Sequence, residues 1–157
     1  MIPKPAVTIR IARPNEAEAL SSLCRRSKAH WGYDDAFMAL SHNSLTVTEK
    51  QIEDGDVWIA EVCGELVGMV ALAKMDEPSL VDLDKLFVEP MHIGSGAGRA
   101  LMEFAVAEAR SRGYARMAIL ADPNAAEFYE KLGAAYLGEK ASDAIPGRVL
   151  PYFELKL

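Results

Sequence analysis

Hydrophobic and polar positions alternate along this chain with two different periods, and the order of those periods predicts its elements. Residues 6–12 (Ala-Val-Thr-Ile-Arg-Ile-Ala) change character from one position to the next, as a half-buried strand does. Pro14-Asn15-Glu16 then opens a helix whose Ala17, Leu20, Leu23 and Cys24 share one face. An aromatic turn, Lys28-Ala29-His30-Trp31-Gly32-Tyr33-Asp34-Asp35, leads to a short helix around 36–41. Thr48-Glu49-Lys50-Gln51 has the spacing of a capping box and predicts another helical turn. Two strands follow at 57–62 and 66–72, and Cys63-Gly64-Glu65 between them is short enough to make an antiparallel hairpin. A strand over 80–88 is ended by Pro90. A helix over 96–112 turns Leu101, Phe104, Ala105 and Ala109 inward and stops at Gly113. Residues 116–120 form a short apolar strand. Asp122-Pro123 then caps and starts a helix that runs to Leu132 and ends at Gly133. Strands near 134–139 and 150–157 flank a loop containing Ile145-Pro146-Gly147-Arg148.

This order, with hairpins in the middle and strand-helix-strand units at the end, implies an α/β (α+β) fold: a mixed sheet with helices on both faces. At 157 residues the expectation is one domain over 1–157. Half of the residues are hydrophobic, enough for a single core, and the formal charge of −6 weighs against a general nucleic-acid binder. No run approaches the roughly 18 apolar residues of a membrane span. The start, Met1-Ile2-Pro3-Lys4-Pro5, lacks the long apolar run of a signal peptide, so a cytoplasmic protein off the membrane is expected. Cys24 and Cys63 show no metal spacing and read as free thiols; His30 and His42 have no partner at metal spacing either, so no metal is expected.

The chemistry is concentrated in Val88-Glu89-Pro90-Met91-His92-Ile93-Gly94-Ser95-Gly96-Ala97-Gly98-Arg99, where a strand gives way to a helix through alternate glycines. Bare N–H groups at a helix N-terminus favour an anion, because unpaired donors and the positive end of the dipole point the same way. A dinucleotide turn needs G-x-G-x-x-G after the first strand, but Arg99 or Leu101 falls at the last position and several strands precede the turn. A P-loop needs a Gly-Lys pair, and the chain has none.

The remaining pattern, Val88-x-Pro90 followed by Gly94-x-Gly96-x-Gly98, resembles the Gcn5-related N-acetyltransferase (GNAT) superfamily, with Ile93 in place of the usual Gln or Arg. A second match lies further along, where Ala125-Ala126-Glu127-Phe128-Tyr129-Glu130-Lys131-Leu132-Gly133 resembles the family's tyrosine-bearing helix, with Ala134 in place of the final Phe. The resemblance implies a mostly antiparallel sheet of about seven strands, splayed between the fourth and fifth. It also implies acetyl-coenzyme A as acyl donor, direct acetyl transfer to a small amine, and possible homodimers. On this sequence the pyrophosphate would lie on Ile93, Gly94, Ser95, Gly96, Ala97, Gly98 and Arg99. The pantetheine would lie along Leu86, Phe87 and Val88, with Phe128 beside it. Asn124, rather than Asp122, would bond the pantetheine arm.

The same resemblance places Tyr129 near the donor sulfur, as general acid. Asp84 is the candidate base because period two puts it on the face of Leu86 and Val88, with Asp82 one step further out and Glu61 on the preceding hairpin as alternatives. Proton loss through water alone is a further option. Trp31, Tyr33 and Arg148 are the candidate acceptor contacts. An acidic chain attracts cationic amines, whereas an Arg148 clamp suits an amine that also bears a carboxylate; the sequence leaves both open. Two other functions compete: a non-catalytic acyl-coenzyme A sensor, and an acetyltransferase for protein N-termini or lysines.

Overall fold

The computed structural model describes residues 6–157, so the reading of the first five residues lies outside the described part. The elements in chain order are β1 (Val7–Ile11), α1 (Ala17–Ala29), α2 (Asp35–Leu40), α3 (Glu49–Glu53), β2 (Val57–Val62), β3 (Glu65–Lys74) and β4 (Leu80–Val88). They continue with α4 (Ala97–Ser111), β5 (Arg116–Leu120), α5 (Ala126–Lys131), β6 (Ala135–Ala141) and β7 (Val149–Lys156). The strands form one seven-stranded sheet in the order β1-β2-β3-β4-β5-β7-β6. Every adjacent pair is antiparallel except β4 and β5, which run parallel.

The two sides of the sheet follow from period two. Along β2, Val57 and Ile59 join Leu20, Leu23 and Cys24 of α1, while Trp58 and Ala60 join Leu101, Met102 and Ala105 of α4. Fully burying a leucine or isoleucine is worth roughly 1.5–3 kcal/mol, so these two interiors fix which helix covers which face. The capping box forms as the Thr-x-x-Gln spacing predicts: the Gln51 N–H donates to Thr48 Oγ1 at 3.2 Å and the Thr48 N–H to Gln51 Oε1 at 3.0 Å. The predicted helix after Asp122 begins with a short 3₁₀ turn, Pro123–Ala125, before α5.

Two irregularities in β4 position the site. Its parallel pairing with β5 covers only Leu80–Asp82 against Arg116–Ala118. Beyond that the two strands part, and from Leu83 onward the β5-facing edge of β4 has no ladder partner among the described residues. The second irregularity is a bulge. Ala71 pairs with Lys85 while Leu72 pairs with Leu83, so Asp84 is an extra residue in β4. The bulge overturns the period-two step that would set Asp84 beside Leu86 and Val88. Asp84 turns instead toward Lys85, its carboxylate 2.7 Å from the Lys85 ammonium.

Candidate functional site

The opening between β4 and β5 is a cavity of about 480 Å³. One wall is Leu86, Phe87 and Val88 on the free edge of β4; the other carries Asn124, Phe128 and Tyr129. Ile93, Gly94, Gly96, Gly98 and Arg99 line it where α4 begins. Gly94 and Gly96 have φ of +84° and +95°, a left-handed backbone that glycine adopts without strain. The N-cap residue of α4 is Gly96, which has no side chain to cap the helix. Gly98 leaves open the space between Val88 and Phe128, where a Cβ would make ordinary contact at 3.5 Å from Val88 Cγ2 and 3.7 Å from Phe128 Cζ. A bare backbone, an uncapped helix start and an unpaired strand edge together suit a ligand that carries phosphates and amides.

Of the residues expected to hold the pyrophosphate, Ser95 and Ala97 do not line this cavity. Ala97 is fully buried in the core beneath α4, and Ser95 turns its hydroxyl toward the Ala97 N–H, 3.4 Å away. Arg99 pairs with Glu103 at 3.0 Å on the exposed side of α4.

Tyr129 is buried, yet its hydroxyl has no hydrogen-bond partner among the described residues. Burial, with the Asp122 charge added, pushes its ionisation well above the ordinary tyrosine range, so the group stays protonated. Asp84 is tied to the buried Lys85 ammonium. Glu61 accepts from Arg10 Nε at 3.0 Å and does not line the cavity. Asp82 has no ion-pair or hydrogen-bond partner among the described residues, and burial together with the Asp84 and Asp143 charges pushes its carboxyl up to about 6.

A second cavity, of about 1010 Å³, adjoins the first and shares Lys28, Leu83, Asp84, Lys85, Phe87, Leu120 and Leu150 with it. Asp82, Asp143 and Arg148 line only this second one. Trp31 lines the first cavity, so Trp31 and Arg148 do not share a pocket as the sequence suggests. Tyr33 lines neither; its ring stacks on Phe37 at 4.0 Å and its hydroxyl donates to Asp122 at 2.8 Å. Asn124 Nδ2 donates to Asp122 at 2.9 Å and to Tyr33 at 3.3 Å, which turns the favoured pantetheine contact into the same network.

Two lysines carry no sequence signal for the part they play. Lys28 donates to Asp122 at 2.5 Å, and Lys85 sits buried at the junction of the cavities. Among the described residues no group of three or more His, Cys, Asp or Glu is placed to hold a metal ion. No helix there is long and apolar enough to cross a membrane.

Known proteins resemble this chain in sequence or in fold. The mouse protein N-acetyltransferase 8 is 28% identical over 108 residues, covering 64% of this chain and 48% of that protein. An uncharacterized N-acetyltransferase of Methanocaldococcus jannaschii is 32% identical over 92 residues, covering 54% of this chain and 40% of that protein. The matches thus span less than half the length of either relative. The crystal structure of PaiA N-acetyltransferase from Thermoplasma acidophilum in complex with coenzyme A superposes with a TM-score of 0.74 at 15% identity, over 97% of this chain and 99% of that one. The likeness at that identity is one of fold. The sequence profile of the Acetyltransferase (GNAT) family matches residues 21–134, which is most of the chain. With its alternate glycines, its split sheet and this match, the chain belongs to the Acetyltransferase (GNAT) family.

Proposed function

We propose that this chain transfers an acetyl group from acetyl-coenzyme A to the amine of a small molecule, directly and without a covalent enzyme intermediate. The observation that carries this reading is the meeting of two cavities at the opened edge of β4, one with an anion cradle and one with an unpaired carboxyl. When bound, acetyl-coenzyme A supplies an activated acetyl group as a thioester. Gly94, Gly96, Gly98 and Arg99 would hold its pyrophosphate through backbone N–H groups, whereas the Ser95 N–H already donates to the His92 carbonyl at 3.1 Å and the Ala97 N–H faces the Ser95 hydroxyl. The free edge at Leu86, Phe87 and Val88 would receive the pantetheine amides as an added strand. Ile93 and Phe128 would flank it with apolar surface.

Tyr129 holds its phenolic proton inside the cavity, available to a departing thiolate. On the acceptor side an alkylammonium, with a pKa of roughly 10, must lose a proton before its nitrogen can attack. We place the base at Asp82, whose carboxyl is unpaired and titrates near 6, rather than at Asp84, which Lys85 neutralises. Lys28, Tyr33 and Asn124 hold Asp122 in place beside Tyr129.

The test is thiol release from acetyl-coenzyme A over a panel of amines, amino acids and peptides, beside calorimetric titration with coenzyme A. Turnover with a small amine is expected. Failure to bind coenzyme A removes the reading, and binding without turnover on any acceptor favours a sensor.

A further inference from the structure

Asp122 has more cationic neighbours than it can satisfy, and the surplus faces the acceptor cavity. Its Oδ1 accepts from the Asn124 N–H at 2.8 Å and from Asn124 Nδ2 at 2.9 Å. Its Oδ2 accepts from Lys28 Nζ at 2.5 Å and from the Tyr33 hydroxyl at 2.8 Å. A carboxylate offers about four lone-pair sites, and these donors fill them.

Arg148 is therefore left over. Its Nη2 is 4.0 Å from Asp122 Oδ2, outside hydrogen-bond range, and donates only to the Tyr33 hydroxyl, at 2.9 Å. Its Nε and Nη1 have no hydrogen-bond partner among the described residues. The Lys28 and Arg148 side chains are only 14% and 20% exposed, so water neutralises them poorly, and both line the second cavity. The guanidinium carbon lies 5.2 Å from the Tyr33 ring centre and 4.8 Å from that of Phe37, and these stacked rings fix the orientation of the fork.

A planar fork with free N–H groups, turned into a cavity and short of negative charge, matches a carboxylate by geometry as well as by sign. The same cavity carries the Asp82 and Asp143 carboxylates, which suit the ammonium end of an acceptor. We infer that the acceptor is a small amine that also bears a carboxylate, and that Arg148 is the residue that selects for it. This rests on the acetyl-transfer reading for the reaction, but not for the binding.

The experiment compares matched trios: an amine bearing a carboxylate, its carboxamide, and its decarboxylated counterpart. Each is measured by thiol release from acetyl-coenzyme A and by calorimetric titration into the coenzyme A-loaded protein. The carboxylate member is expected to be preferred about ten- to a hundredfold, the range for one charge-assisted contact. Arg148→Gln is expected to bring that preference to within a few-fold, and Arg148→Lys to recover part of it. Equal handling of the three by the wild type, a preference that survives Arg148→Gln, or no binding by any of them overturns the inference. Arg148-dependent binding of the carboxylate member without thiol release from any trio upholds the carboxylate site and rejects acetyl transfer.

Discussion

The Lys28 ammonium lies 2.5 Å from the Asp122 carboxylate, joining the last turn of α1 to the segment that follows β5. Burial alone would raise the Asp122 carboxyl, but the Lys28 hydrogen bond and charge, with the Asn124 N–H and the Tyr33 hydroxyl, outweigh it and hold the group below its ordinary range. A carboxyl lowered in the folded state contributes stability above its unfolded pKa of about 3.9, and that contribution is lost as pH falls below it through the folded value. Lys28→Met leaves a largely buried carboxylate without its nearest cation. A loss of about 2–4 kcal/mol is expected near neutral pH, shrinking as the pH drops toward 3. Urea unfolding of both proteins across that range measures it. A loss that stays constant with pH would point to packing by the lysine stem instead.

Tyr129 separates chemistry from stability. Its hydroxyl has no partner among the described residues, so Tyr129→Phe removes no protein hydrogen bond, and the ring keeps its place beside Phe128 at 5.1 Å. The melting temperature is expected to stay level or rise slightly. Loss of a general acid lowers kcat by roughly 10²- to 10⁴-fold. Thiol-release kinetics beside thermal unfolding read both quantities. Unchanged turnover would take Tyr129 out of the mechanism.

At Asp82 stability is set against activity. Burial, with Asp84 and Asp143 nearby, puts its folded pKa at about 6, well above the unfolded value of about 3.9. Between those values the folded state holds the extra proton, so this group's contribution to stability falls as pH rises from about 4 to 6. Above that window the ionised group is a penalty of about 2–3 kcal/mol. Asp82→Asn is therefore expected to be the more stable protein near pH 8, with the advantage gone near pH 4, while kcat/KM falls at least about tenfold. In the wild type, the acid limb of the pH–rate profile is expected to bend near 6. If Asp82→Asn keeps that bend, the base is another group.

The sheet and its helices were legible because each strand and helix carries its own period. Val57 and Ile59 against Trp58 and Ala60 already assign two faces, and α1 and α4 cover them as their apolar stripes require. The glycine turn before α4 was legible too, since a left-handed backbone at Gly94 and Gly96 restricts which residues fit. The bulge was not. Period two extends through Asp84 on paper, and only the pairing with β3 shows an extra residue there. The network at Asp122 was hidden for a different reason. Lys28 and Asp122 stand 94 residues apart and Tyr33 and Arg148 115, so each reads locally as an ordinary polar side chain. Only the split between β4 and β5, which leaves space between α1 and the end of β5, brings them into contact.

Gly68 and Gly96 are needed for different reasons, and alanine tells them apart. A Cβ on Gly68 would fall 2.8 Å from Leu101 Cδ1 and 3.0 Å from the Phe87 carbonyl oxygen. The leucine methyl can rotate away, but the carbonyl belongs to the paired strand β4 and cannot, so β3 and β4 are strained apart at that point. Gly68→Ala is expected to cost about 1–3 kcal/mol, as overpacking does. Gly96 has nothing within 4 Å of the position a Cβ would take, so crowding is not the issue. Its φ of +95° is the issue, and a side chain there costs about 1–2 kcal/mol or pulls the backbone toward another conformation. The second outcome re-aims the N–H groups at the start of α4. Gly96→Ala is therefore expected to raise the KM for acetyl-coenzyme A about three- to tenfold, the loss of a hydrogen bond or so. Gly68→Ala should lower the melting temperature more while changing that KM less. If Gly96→Ala matches the wild type in KM, the cradle does not depend on the left-handed turn.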